Sequence, residues 1–67
     1  MGGAFITVTD SLTGEPVIVN AAQIRAMWAR KGDPDTTVID IGGGAFIQCT
    51  QSLSSVYVDA KGALSRG

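Results

Sequence analysis

Three consecutive glycines near the middle of the chain constrain its fold more than any other feature. The run at 42–44 separates two stretches rich in β-branched residues, at 36–41 and 45–50. Glycine adopts positive φ at little cost, so such a run allows the backbone to reverse and the flanking strands to pair. The sequence therefore predicts a central β-hairpin against which the remaining elements pack.

A second hairpin is predicted nearer the N-terminus. Strands are predicted at 5–9, where every residue is β-branched or aromatic, and at 16–20, which contains the β-branched run 17–19. The segment 10–14 between them is rich in turn-forming residues. Pro16 stands at the first position of its strand, where a missing N–H costs least. A further turn is predicted at 32–35, around Pro34.

The C-terminal part of the chain has helical periodicity. The apolar residues Leu53, Val56, Tyr57 and Ala60 recur at i, i+3, i+4 and i+7. Thr50 or Ser52 can provide the N-cap, and Gly62 is placed to end the helix. The sequence predicts a short amphipathic helix, followed by a frayed tail at 63–67 that matches fraying at 1–4.

The segment 21–31 is compatible with two structures. Asn20 is a good N-cap, the residues that follow are helix formers, and Gly32 suits a helix C-terminus. The alternative is a single turn at 20–23 followed by a strand, since Ile24, Ala26 and Trp28 alternate with Arg25, Met27 and Ala29. Propensity favours the helix.

These elements predict a mainly β, α+β fold in one small domain spanning residues 1–67. The expected architecture is a small antiparallel sheet or partly open barrel of four to five strands built from hairpins, with the short C-terminal helix. The region 21–31 adds either a helix or an extra strand.

The small size of the chain predicts association. Cys49 is the only cysteine and histidine is absent, so no internal disulfide, metal site or cofactor is expected in this 67-residue chain. Small domains without such cross-links are often stabilised by an oligomer interface. We expect a homo-oligomer, most simply a dimer, with the interface drawn from four aromatic residues, of which Trp28 is the first choice: Phe5, Trp28, Phe46 and Tyr57.

Charge and hydropathy limit the possible partners. The net charge of −1 gives no general attraction to nucleic acid, and one local basic cluster remains, formed by Arg25, Arg30 and Lys31 around Trp28. A solvated face is the favoured interpretation of this cluster. The chain has no signal peptide pattern and no apolar run of about 20 residues, so a cytoplasmic location without membrane contact is expected.

No set of residues in the sequence indicates catalysis. Cys49 and the serines have no histidine to act as their base, and Asp33 and Asp35 are typical of turn residues around Pro34. The segment 38–44 resembles the phosphate-binding turn of actin-like ATPases, but its residues also suit a glycine hairpin, which is the favoured interpretation. We expect a protein that is not an enzyme.

The order of motifs resembles the small FlbD (SwrD) family of flagellar-associated proteins. The matching pieces are Gly14, Val-Ile-Val-Asn-Ala-Ala-Gln-Ile at 17–24, residues 37–41, Gly44 and residues 52–56. The order of elements is also similar to that of LytTR domains. The resemblance implies a non-enzymatic accessory role, in a bacterium or phage, and supports a strand after Gln23.

The sequence as a whole favours a non-catalytic β-rich module that self-associates and binds a protein partner of unknown identity. The alternative is a small nucleic-acid-binding protein that uses Arg25, Trp28, Arg30 and Lys31. A phosphate-ligand binder at 40–44 is a third and weaker hypothesis.

Overall fold

The computed structural model describes residues 4–66 and contains five strands and two helical segments. The elements, in chain order, are β1 Phe5–Thr9, β2 Pro16–Asn20, a 3₁₀ turn Ala21–Gln23, β3 Ala26–Arg30, β4 Asp33–Asp40, β5 Phe46–Cys49 and the α-helix α1 Leu53–Arg66. They form a two-stranded antiparallel sheet, β1-β2, and a three-stranded antiparallel sheet in the order β3-β4-β5. The predicted α+β class is confirmed, and within the described residues the strands do not close into a barrel.

The hairpin predicted around the three glycines is confirmed. Strands β4 and β5 pair with Ile39 opposite Ile47, and all three glycines between them have positive φ. Side chains opposite each other share one face of a sheet, so Ile39 and Ile47 both point towards the core. Ile39 has no exposed surface.

The N-terminal hairpin is also confirmed. Ile6 pairs with Val19 across β1 and β2, and both side chains are buried. In the connecting turn, Asp10 Oδ1 accepts a hydrogen bond from the backbone N–H of Leu12 at 2.7 Å. The aspartate side chain thus holds the tight turn that its position in the sequence predicted.

The favoured helix at 21–31 is wrong, and the alternative turn and strand are confirmed. The 3₁₀ turn is capped by Asn20, whose Oδ1 accepts from the N–H of Ala22 at 3.0 Å. The chain then becomes extended and β3 pairs with β4, with Trp28 opposite Val38. Propensity is a weak preference, and here the hydrogen bonds and packing available along β4 override it.

The turn between β3 and β4 is shorter than predicted. It lies at 31–32, where Gly32 has a φ of 81°, and β4 already begins at Asp33. Pro34 can occupy this part of the strand because pairing with β5 starts only at Thr37, so its missing N–H removes no hydrogen bond to β5. A register shift between Ala29 and Arg30 accommodates the hairpin.

The two sheets are joined where the end of β1 meets β5. Asp10 forms an isolated bridge with Cys49, and two backbone hydrogen bonds flank it, from Ser11 N to Gln48 O at 2.9 Å and from Thr50 N to Thr9 O at 3.0 Å. This junction occupies the outer edge of β5 at Gln48 and just beyond it at Thr50. Among the described strands, β2 and β3 remain as the outer edges.

Gln51 reinforces this junction with its side chain and its backbone. Its amide exchanges hydrogen bonds with Thr9, accepting from the backbone N–H at 3.1 Å and donating to Oγ1 at 3.3 Å. Its carbonyl accepts from Thr37 Oγ1 at 2.7 Å. Because Thr37 is fully buried, that bond also removes the cost of an unpaired hydroxyl in the core.

Helix α1 packs on the core through Val56, Ala60 and Ala63. Ser52 caps it, since its Oγ accepts from the N–H of Ser55 at 3.3 Å. The predicted end at Gly62 and frayed tail are wrong for 63–66, because the helix runs to Arg66 and the small side chain of Ala63 continues the buried stripe.

The predicted fraying of 1–4 falls mainly on residues 1–3, which lie outside the described range. Gly67, the last residue of the predicted C-terminal tail, also lies outside it. Within that range, Ala4 is half-buried and its carbonyl accepts from the N–H of Ala21 at 2.7 Å. This bond ties the start of β1 to the 3₁₀ turn.

Extension of α1 past Gly62 predicts that Ala63→Glu lowers the free energy of unfolding by about 2 kcal/mol or more, because it forces a carboxylate into the core. Val58→Glu is the matched control, since Val58 is 64% exposed on the same helix. Urea unfolding followed by circular dichroism measures both variants. Equal stability of the two would contradict burial of the last helical turn.

Candidate interaction surface

The outer face of the three-stranded sheet carries an aromatic patch, which we define as Trp28, Val38 and Phe46. Trp28 lies opposite Val38, and Phe46 lies opposite Asp40, two residues further along β4. The rings of Trp28 and Phe46 meet edge to face, with centroids 6.1 Å apart and planes at 71°. Together they shield Val38, which is only 9% exposed although it lies on the outer side.

The aromatic patch itself is open to solvent. Trp28 is 42% exposed and Phe46 is 57% exposed. The structure brings together two of the four aromatic residues predicted for an interface. The other two lie elsewhere: Phe5 is exposed on the outer side of β1, and Tyr57 is exposed on α1.

Strand β3 is an outer edge of its sheet. Its free backbone groups can be identified from the alternation of hydrogen-bonded and non-hydrogen-bonded pairs along the strands. Ile41 N donates to Ala45 O at 3.3 Å, which continues the β4-β5 ladder past the pair Ile39 and Ile47. In an antiparallel ladder hydrogen-bonded and non-hydrogen-bonded pairs alternate, so the N–H and C=O of Val38 point to β3. Those of Met27 on β3 therefore point away from β4, towards the open edge.

An open apolar groove of about 370 Å³ runs beside β3, between this strand and α1. Ile24 and Met27 form one wall, while Tyr57 and Leu64 form the other. Lys61 is the one charged residue in its lining. Beside β3 the molecule thus presents apolar side chains on both faces of the sheet.

The residues of the predicted basic cluster lie along β3 and at its two ends. The side chain of Arg25 lies over the glycine turn, where a Cβ added to Gly42 would come within 3.1 Å of its Cδ. Arg30 and Lys31 lie at the opposite end of β3, roughly 16 Å along the strand from Arg25 at about 3.3 Å per residue. Trp28 lies between these two ends of the strand.

The glycine turn is explained without a ligand. Asp40 Oδ1 accepts from the backbone N–H of Gly42 at 2.8 Å, so the carboxylate already holds the turn. Asp33 is similarly engaged, since its Oδ2 accepts from Thr36 Oγ1 at 2.8 Å. Within residues 4–66 no group of three or more acidic, cysteine or histidine side chains could hold a metal ion.

Cys49 lies fully buried in the core, beneath the junction of the two sheets. Burial raises the pKa of the Cys49 thiol, against the opposing effect of backbone hydrogen bonds from Gln51 and Thr37. The reactive thiolate is therefore disfavoured. Cys49 contributes to packing, in agreement with the apolar role predicted for it.

Sequence reasoning missed the free edge of β3 and the groove beside it, because both depend on a strand where a helix was favoured. The alternation of Ala26 and Trp28 with Met27 and Ala29 was the feature of the sequence that indicated this strand.

No protein-family model, curated protein or solved structure matches this chain. The resemblance to the FlbD family therefore stays a prediction from the motifs. Within residues 4–66, none of the helices has the length and apolar character needed to span a lipid bilayer.

Asp40→Asn is expected to change stability little, because the amide oxygen can accept the same bond from Gly42. Asp40→Ala should cost about 1 kcal/mol through loss of that bond. Isothermal titration with Mg²⁺ and ATP should show no binding to any of the three proteins. Micromolar binding by the unmodified protein that Asp40→Asn abolishes would instead make this turn a nucleotide site.

Nucleic-acid binding is expected to be weak and to have a shallow salt dependence, because three separated cations neutralise about three phosphates at most. Fluorescence anisotropy with single- and double-stranded oligonucleotides at physiological salt measures it. Submicromolar binding that is lost in Trp28→Ala, but kept in Phe5→Ala, would establish the nucleic-acid hypothesis.

Proposed function

We propose that this protein is a non-catalytic β-rich module that associates with itself and binds another protein. The observation that carries the proposal is the coincidence, on β3, of an unpaired strand edge with apolar side chains on both faces. Exposed strand edges and contiguous apolar patches are typical of surfaces that other chains cover.

The small core supports association. The buried apolar residues are mostly small or β-branched, and nine of them form the core: Ile6, Val8, Val19, Ala21, Ile39, Cys49, Val56, Ala60 and Ala63. All four aromatic side chains lie more than 40% exposed. Aromatic residues contribute strongly to protein interfaces, so covering them would add the apolar burial that this core lacks.

The proposed setting is the cytoplasm of a bacterium or phage-infected cell, in an accessory role. A single unpaired cysteine fits a reducing compartment. The motif order shared with the FlbD family supports the accessory role. A phosphate- or nucleic-acid-directed activity has less support, because Asp40 is engaged in its turn and Arg25 lies at the other end of β3 from Arg30 and Lys31.

Self-association predicts a mass above 6.9 kDa in solution and a melting temperature that rises with protein concentration. Size exclusion coupled to light scattering gives the mass, and thermal unfolding over a wide dilution range gives the linkage. A monodisperse monomer with a concentration-independent melting temperature would refute the oligomeric part of the proposal.

A further inference from the structure

We infer that the open edge of β3 is covered by β3 of a second copy of this chain, in an antiparallel two-fold pairing centred on Met27. The inference rests on the proposed self-association and specifies its surface and register. The joined sheet would run β5-β4-β3-β3-β4-β5 across the two copies.

The backbone supports pairing at Met27. A two-fold axis perpendicular to a sheet places a residue opposite itself, with matching faces on the two strands. The N–H and C=O of Met27 point to the open edge, so the two copies of Met27 can exchange both hydrogen bonds. The other edge of this sheet does not offer the same opportunity, because Gln48 O already accepts from Ser11 N and Thr50 N already donates to Thr9 O.

Side-chain size favours this register on the outer face. Pairing about Met27 puts Ala26 opposite Trp28 of the other copy, on both sides of the axis. The methyl group of Ala26 leaves room for the indole ring, and Ala26 is exposed. Trp28 would then be enclosed between Phe46 of its own chain and Ala26 of the second copy.

Side-chain chemistry on the inner face also favours it. Met27 of each copy would lie beside the groove of the other, near Tyr57 and Leu64, where an unbranched thioether can fit an irregular apolar space. The two grooves would close over each other.

The charged residues favour the register centred on Met27 over the register centred on Trp28. Pairing about Trp28 would put Arg25 opposite Lys31, and like charges directly opposite each other destabilise a sheet. Pairing about Met27 puts Arg25 opposite Ala29 and Arg30 opposite Ile24. No two cations are then directly opposite each other.

The area available is consistent with a modest dimer. The half-exposed Trp28 and Tyr57 can each bury roughly 100 Å² more. With Leu64, Met27, Ile24 and the strand edge, burial reaches roughly 600 Å² per copy, near the lower limit of about 1,200 Å² in total for specific interfaces. Such an interface suits a reversible dimer.

Disulfide trapping tests the register. In the Met27-centred pair, the two Cα atoms of Met27→Cys would lie about 5.5 Å apart, within the range that a disulfide spans, whereas those of Trp28→Cys would lie about 8 Å apart. Mild oxidation should cross-link Met27→Cys much faster than Trp28→Cys. Cys49 can stay in place because it is buried.

A matched pair of aromatic substitutions tests the surface without a cross-link. Trp28→Thr should raise the dimer dissociation constant about tenfold or more, because it removes the enclosed ring. Phe5→Thr, at a residue 55% exposed on β1, should leave the constant unchanged. Sedimentation equilibrium measures both, and circular dichroism verifies that each variant is folded.

The results separate the two levels of the proposal. A dimer that is equally stable in Trp28→Thr and Phe5→Thr, with no trapping of Met27→Cys, would overturn the β3 surface and leave self-association intact. Faster trapping of Trp28→Cys would overturn the register. A strict monomer, or association only with an added partner protein, would overturn both the inference and the self-association on which it rests.

Discussion

The pairing of β4 with both of its neighbours is the interaction on which the rest of the structure depends. At its centre Ile39 lies between Met27 of β3 and Ile47 of β5, and it is fully buried. The glycine turn brings β5 to one side, and the short turn at Gly32 brings β3 to the other. Because both neighbours are adjacent in sequence, the sheet forms through local connections.

This dependence explains why β3 is a strand in spite of its helix-forming residues. Ala26, Met27 and Ala29 are all compatible with a helix, and their local propensity favours one. The buried strand β4 needs a partner for its backbone on the side away from β5. Supplying that partner gains ladder hydrogen bonds and covers apolar surface, which outweighs a small difference in intrinsic preference.

Where the sequence alone was sufficient, the deciding residues act locally. The glycines at 42–44 and Asp10 determine their turns through φ or a side-chain bond two residues away, so both hairpins were predictable. The junction of β1 with β5 and the continuation of α1 past Gly62 were not predictable, since they depend on contacts between distant segments. The candidate surface was not predictable for the same reason. The four aromatic residues were identified from the sequence, but strand register determines that two of them form a pair and two lie apart.

The junction at Gln51 has a consequence for how the chain acquires its structure. The hydrogen bond between the side-chain amide of Gln51 and Thr9 spans 42 residues of the chain. It is one of the bonds that connect the N-terminal hairpin to the other sheet. Closing so long a loop costs more conformational entropy than closing a local turn. The contacts that offset this cost are available only when both sheets have formed. We therefore expect this bond to form after the two hairpins and to couple their unfolding.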